Sequence, residues 1–173
     1  MQQPAPIGQP IRAVVQAPVP IPDASLTNAG PITTEYNRMK DFTVVRLEKM
    51  NLEGSLNLDV SFVYPGKVYS TPEDVIFHFS QSSDTWRYLS YHALSLLLND
   101  TKHLELAKVT HHGSVGSGYV LEQMFAMVSV TQFQQIAASE KVEGQLGSTL
   151  FMLKSYQLDT LRALARRIGP MSR

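Results

Sequence analysis

The chain has 173 residues, of which 43% are hydrophobic and 17% charged, and its 15 Lys and Arg side chains balance 15 Asp and Glu. Because these charges cancel, no overall positive field attracts nucleic acid, and we expect no nucleic-acid partner. The lack of cysteine excludes a disulfide framework, thiolate metal sites and a thiol nucleophile. No stretch approaches the ~18 apolar residues of a transmembrane helix, although peripheral association with a membrane complex stays open.

The beginning of the chain lacks the charged start and apolar core of a signal peptide. A mature exported protein is also compatible with this beginning, and a cysteine-free chain suits oxidising and reducing compartments alike. A periplasmic or exported location and a cytoplasmic one therefore both stay open.

Proline dominates the first part of the chain, since six of the ten prolines lie within residues 1–22. Proline fixes φ and lacks a backbone donor, so helix and central strand are both disfavoured there. We predict an extended Pro-rich arm or linker over residues 1–40 and a β-rich globular domain with a C-terminal helix over residues 41–173. An extended arm binds through main-chain hydrogen bonds and spaced apolar anchors. The candidate partner-binding anchors are Ile11, Val14, Val15, Val19 and Ile21.

Alternation of apolar and polar residues predicts most of the strands. The clearest case has Leu56, Leu58, Val60 and Phe62 on one parity and polar residues on the other. The same pattern, bounded by turn residues, predicts strands at 44–48, 75–80, 94–98, 104–106, 119–128, 142–146 and 149–153. In the last pair Gly144 is expected opposite Phe151, where the missing side chain leaves room for the ring.

Two helices are predicted towards the C-terminal end. Ser129 and Gln132 form a capping-box pattern ahead of a short helix, and Ser155 is expected to cap a final helix that ends before Gly169. Hairpin-linked strands with two helices predict an α+β fold, an antiparallel, strongly curved sheet or partial barrel of about seven to eight strands. The closing segment LGSTLFMLKSYQLDTLRALARRI is similar to the ends of uncharacterised bacterial domains, a likeness that implies nothing about activity.

One short motif invites a metal-site interpretation. Residues 110–114, Thr-His-His-Gly-Ser, resemble a stretch of some metallo-β-lactamase-fold hydrolases, in which one such histidine ligates zinc beside an upstream HxHxDH cluster. That cluster is missing here, and zinc needs three or four convergent ligands, so we predict no metal and no cofactor. We predict a polar strand end entering a glycine-rich loop at 111–118, and leave open any further role of His111 and His112.

The most concentrated aromatic and cationic cluster lies at Trp86, Arg87 and Tyr88. These residue types dominate binding hot spots, so we predict that they bind a partner. The competing interpretation is that Trp86 and Tyr88 pack into the core and leave Arg87 outside. Acidic pairs elsewhere have no neighbouring histidine or nucleophile, so no catalytic residue is predicted.

Two functions from different classes follow. The first is a non-enzymatic interaction or structural subunit of a larger assembly, which binds a protein partner through its N-terminal arm. The second is a small-molecule or lipid carrier with an apolar cavity between the sheet and the C-terminal helix. Met124, Phe125 and Met127 are the candidate lining residues of that cavity.

Overall fold

The structure is a computed structural model that describes residues 32–90, 93–106 and 109–169. Within these ranges the chain forms ten strands and two helices, which confirms the α+β class but exceeds the predicted number of strands. The strands are β1 (Ile32–Asn37), β2 (Phe42–Asn51), β3 (Asn57–Pro65), β4 (Asp74–Ser83), β5 (Leu94–Leu98), β6 (Lys102–Leu106), β7 (Val109–Gly116), β8 (Tyr119–Ser129), β9 (Val142–Leu146) and β10 (Thr149–Met152). The helices are α1 (Val130–Ala138) and α2 (Ser155–Ile168).

The strands divide between two antiparallel sheets. Sheet A has six strands in the order β1-β2-β3-β4-β8-β7, and sheet B has four in the order β10-β9-β5-β6. The antiparallel organisation is confirmed, but the predicted single sheet is replaced by two. Alternation along a strand shows which side chains point inward, yet it does not show which strand is the neighbour. Here β4 pairs with β8, and the intervening β5 and β6 hairpin joins β9 and β10 instead.

Two strands lie where the sequence predicted arm or loop. Strand β1 falls inside the predicted 1–40 arm and pairs with β2 from Ile32↔Leu47 to Asn37↔Phe42. None of its residues is buried and most are polar, so apolar alternation could not reveal it. Strand β7 runs through the predicted glycine-rich loop as far as Gly116, and only Ser117-Gly118 form the turn to β8. Backbone pairing at the edge of a sheet needs no apolar pattern, which explains both differences.

Side chains from both sheets and both helices form one core. Phe77 of β4 meets Phe133 of α1 edge-on at 6.1 Å between ring centroids, and Phe79 lies 6.0 Å from Phe151 of sheet B. We call the side of sheet A that carries these residues the inner face and the opposite side the outer face. Among the described elements, both helices and sheet B pack on the inner face.

Several local predictions are confirmed. Gly144 pairs with Phe151 across the β9–β10 hairpin, and the Phe151 ring fills the space where a Cβ of residue 144 would stand. Ser129 caps α1 in a full capping box with Gln132. The prediction for Ser155 is wrong by one position: it is the first residue of α2, and the Gln157 side chain accepts the backbone N–H of Lys154.

Candidate interaction surface around Trp86

The carboxylate of Glu122 is the most unusual group in the core. Glu122 lies on β8, points to the inner face and is completely buried. Its oxygens accept the backbone N–H groups of Arg87 at 2.8 Å and Tyr88 at 3.0 Å, and lie 3.0 Å from Nε2 of His111. A buried carboxylate is costly unless such donors satisfy it. Glu122 therefore holds the segment after β4 against β7 and β8.

Trp86 is placed by this anchored segment. Its indole lies over Gly113 of β7 and meets the His111 ring at 6.1 Å between centroids, with 63° between the planes. A Cβ added to Gly113 would stand 2.1 Å from Cζ3 of Trp86, so only glycine permits this contact. Trp86 as a whole is still 37% exposed. The position therefore combines a fixed aromatic ring with access from solvent.

Tyr88 continues the same segment into the interior. It is fully buried, and its hydroxyl lies 2.7 Å from Oε1 of Gln81 and 2.9 Å from Oγ1 of Thr149. The contact with Thr149 links the segment to sheet B. Burial raises the pKa of the Tyr88 phenol, although the hydrogen bond with Thr149 acts in the opposite direction. The hydroxyl therefore stays protonated and bound to its partners at neutral pH.

Other exposed side chains follow Trp86 in the chain or lie on the strand face that its indole contacts. Arg87 points to solvent, Leu89 is 53% exposed, and Val115 is 69% exposed two residues beyond Gly113 on the same face of β7. We call Trp86, Arg87, Leu89 and Val115 the Trp86 surface. Exposed apolar side chains together with an arginine and an aromatic ring are typical of the composition of protein contact sites.

The three residues of the predicted aromatic and cationic cluster, Trp86, Arg87 and Tyr88, therefore do not all lie at the surface. Trp86 and Arg87 lie on the Trp86 surface, whereas Tyr88 belongs to the core and cannot touch a partner directly. The five anchors predicted in the arm, Ile11, Val14, Val15, Val19 and Ile21, lie outside the described residues. Sequence reasoning missed Glu122, although a signal was present. It is a charged residue on the parity of Val120, Met124 and Ala126, in a strand whose other inward residues are apolar.

Adjacent strand residues point to opposite faces, and this separates His111 from His112. His111 faces inward to Glu122, while His112 faces outward and meets the Phe125 ring edge-on at 5.9 Å. The two imidazoles therefore cannot bind one ion together. Within residues 32–90, 93–106 and 109–169, no three His, Asp or Glu side chains converge as metal ligands.

The residues named for a carrier cavity also divide between the faces of sheet A. Met124 is buried in the core, whereas Phe125 and Met127 lie on the outer face, where Met127 is 64% exposed. A groove of about 400 Å³ opens on that outer face, away from the space between sheet and helix. The carrier function stays a prediction.

None of the helices in the described part of the chain has the length and apolarity required to cross a membrane. No protein-family model, no curated protein and no solved structure is significantly similar to this chain.

Proposed function

We propose that the protein is a non-enzymatic interaction subunit of a larger assembly and that it binds a protein partner through the Trp86 surface. The observation that carries this proposal is the buried Glu122 carboxylate, which fixes the backbone of residues 87 and 88 and so presents Trp86 in one position. A contact residue that is ordered before binding loses less side-chain entropy when the partner arrives.

The chemistry of the surface supports a protein ligand. Trp86 and Arg87 are residue types that carry large shares of binding energy, and Leu89 and Val115 extend the apolar area around them. A fully buried carboxylate that accepts two backbone N–H groups of one loop is a costly way to hold a surface segment that has no function. The chain's zero net charge also favours association over mutual repulsion.

Two finer parts of the sequence interpretation belong to this proposal. The Pro-rich arm is proposed as a second contact with the assembly, through the anchors between Ile11 and Ile21. Strong curvature or partial barrel closure of the sheet is likewise a proposal, as is the bacterial origin suggested by the C-terminal segment.

The test compares wild-type protein with Trp86→Ala as bait in a lysate of the source cells. Tyr156→Ala is the matched control, because Tyr156 is another half-exposed aromatic residue, on α2. A protein captured by wild type is purified, and its affinity for each variant is measured by calorimetry. Loss of a hot-spot aromatic side chain should weaken binding about 30-fold, whereas the control should change it by less than about twofold.

Equal affinity of wild type and Trp86→Ala for every captured protein would contradict the proposal. A second experiment tests the Pro-rich arm by deleting residues 2–30. This deletion should leave the melting temperature of the domain nearly unchanged while it weakens assembly. If the deletion lowers the melting temperature of the isolated domain as well, the loss of assembly would count against a role of the arm in binding.

A further inference from the structure

The outer face of sheet A carries a groove that the proposed function does not use. Its walls come from β3, β4 and β8 together with residues 70–73 of the loop before β4, and its volume is about 400 Å³. The apolar lining residues are Val63, Pro65, Ile76 and Met127. Ile76 pairs directly with Met127, so the floor of the groove is a cross-strand apolar pair.

The apolar lining continues along the sheet. Val63 pairs with Val44 of β2 and is 38% exposed, and Met127 is 64% exposed. Contiguous exposed apolar side chains on a sheet face mark a surface that another segment covers. Two acidic residues, Glu73 and Asp74, stand at the rim of the groove.

The chain itself enters sheet A close to this groove. Thr33, the second residue of β1, lies in the same cross-strand row as Ile76 and Met127, through the pairs with Arg46 and Ser61. With neighbouring strands about 4.8 Å apart, three strand spacings separate β1 from β4, about 14 Å. Residues 23–31 can span about 30 Å when extended. Residues 11–22 therefore reach the groove easily from the point where β1 begins.

The chemistry of residues 11–22 matches the groove. This segment, IRAVVQAPVPIP, alternates proline with Val and Ile near its end and carries a single charge, that of Arg12. Pro-rich segments bind apolar grooves at low entropic cost because proline restricts the free chain. Arg12 is the only Lys or Arg within residues 1–31, and it is opposite in charge to Glu73 and Asp74.

We propose that residues 11–22 bind in the outer-face groove of their own molecule. A tether of nine residues supplies a millimolar-range effective concentration, which favours the molecule's own segment over that of a second copy. This inference does not depend on the Trp86 surface. It concerns the protein without a partner, and contact of the arm with an assembly would require the segment to leave the groove.

Arg12 makes the proposal testable, because trypsin can cut residues 1–31 only after this residue. Brief trypsin treatment of the full chain, followed by intact mass measurement, gives the rate at which residues 1–12 are lost. The test variant is Met127→Lys, which places a charge in the groove at an exposed position. The control is Leu150→Lys, which places the same charge at a 68% exposed position on β10.

We expect Met127→Lys to lose residues 1–12 about tenfold faster than wild type, while Leu150→Lys is cut at the wild-type rate. Equal rates for all three proteins would overturn the proposal. A wild-type rate that falls as protein concentration rises from about 1 to 100 μM would also overturn it, since a second copy would then be the occupant. The trypsin experiment contains no partner protein, so a negative result in it does not bear on the affinity test of Trp86. A negative result in the affinity test likewise does not bear on the binding of residues 11–22 in the groove.

Discussion

The Glu122 carboxylate accepts the backbone N–H of Tyr88 at 3.0 Å across 34 residues of sequence. This contact joins the centre of β8 to the segment that follows β4, and the neighbouring N–H of Arg87 binds the other carboxylate oxygen. The position of Trp86 therefore depends on a charged group that no partner touches.

Replacement of Glu122 by Gln should loosen the segment that carries Trp86. The amide keeps one acceptor oxygen, but its NH2 group cannot accept the second backbone N–H, so the free energy of unfolding should fall by about 2–4 kcal/mol. Trp86 is the only tryptophan in the chain. Its emission should shift to longer wavelength and become more accessible to acrylamide while far-ultraviolet circular dichroism stays unchanged.

Glu140→Gln is the control for this experiment, because Glu140 is an exposed acidic residue outside the strands. It should change neither the urea midpoint nor the Trp86 emission. An unaltered emission spectrum in Glu122→Gln would show that the carboxylate does not position the indole.

Replacement of Gly113 by Ala should displace the indole directly. A Cβ at this position would stand 2.1 Å from Cζ3 of Trp86, so either the ring moves or the strand does. We expect a loss of about 1–3 kcal/mol in the free energy of unfolding, as for other overpacked positions. Urea denaturation measures it.

A double-mutant cycle identifies the cause of that loss. In a Trp86→Ala background the added methyl group has no ring to meet, so Gly113→Ala should cost less than about 0.5 kcal/mol. If Gly113→Ala lowers the free energy of unfolding equally in wild type and in Trp86→Ala, the loss arises in the backbone of β7 and not from contact with the indole.

Replacement of Tyr88 by Phe should alter how stability depends on pH. Burial raises the pKa of this phenol above the ordinary value of 10.0. At pH values between the ordinary pKa of the unfolded chain and the raised pKa of the folded protein, the unfolded chain loses the phenol proton that the folded protein keeps. Wild-type stability therefore falls as pH rises through this range. At about pH 8 wild type should be more stable than Tyr88→Phe by about 1–2 kcal/mol, because Gln81 and Thr149 lose a hydrogen-bond partner in the variant.

That advantage should shrink above about pH 10, since the variant has no phenol to ionise. Urea midpoints at both pH values give the comparison. Tyr156→Phe, at a half-exposed position, should match wild type at each pH, and a constant difference between wild type and Tyr88→Phe would contradict the expected effect.

Replacement of Arg162 by Ala should weaken the contact between the helices. Its guanidinium donates from Nε to the carbonyl oxygen of Ala137 at 3.1 Å and from Nη2 to that of Ser139 at 2.8 Å. These carbonyls lie at the C-terminal end of α1, where helices leave acceptors unsatisfied. We expect a loss of about 1–3 kcal/mol by thermal or urea unfolding. Arg166→Ala, on the exposed side of α2, should stay within about 0.5 kcal/mol of wild type.

Local sequence patterns were sufficient for those elements whose signal lies within a few residues. Leu58, Val60 and Phe62 alternate because one face of β3 is buried, and the structure confirms it. The Gly144 and Phe151 pair was predictable because a two-residue turn sets the register of a hairpin. Edge strand β1 was not predictable, since ITTEYN pairs through its backbone and shows no apolar alternation.

The candidate surface was predictable only in part. Composition alone pointed to Trp86 and Arg87, because aromatic and guanidinium groups are typical of binding sites. It could not show that Tyr88 is buried between Gln81 and Thr149, or that His111 and the loop share Glu122 as a partner.

The order of residues along this chain was enough to establish its two helices, most of its strands, its balanced charge and the β9–β10 hairpin. The division into two sheets and the contacts that join residues 86–88 to His111 and Glu122 arose only on folding. The physical reason is range: periodicity and turns act between close neighbours, whereas a buried carboxylate takes its donors from whichever strands and loops the fold brings beside it.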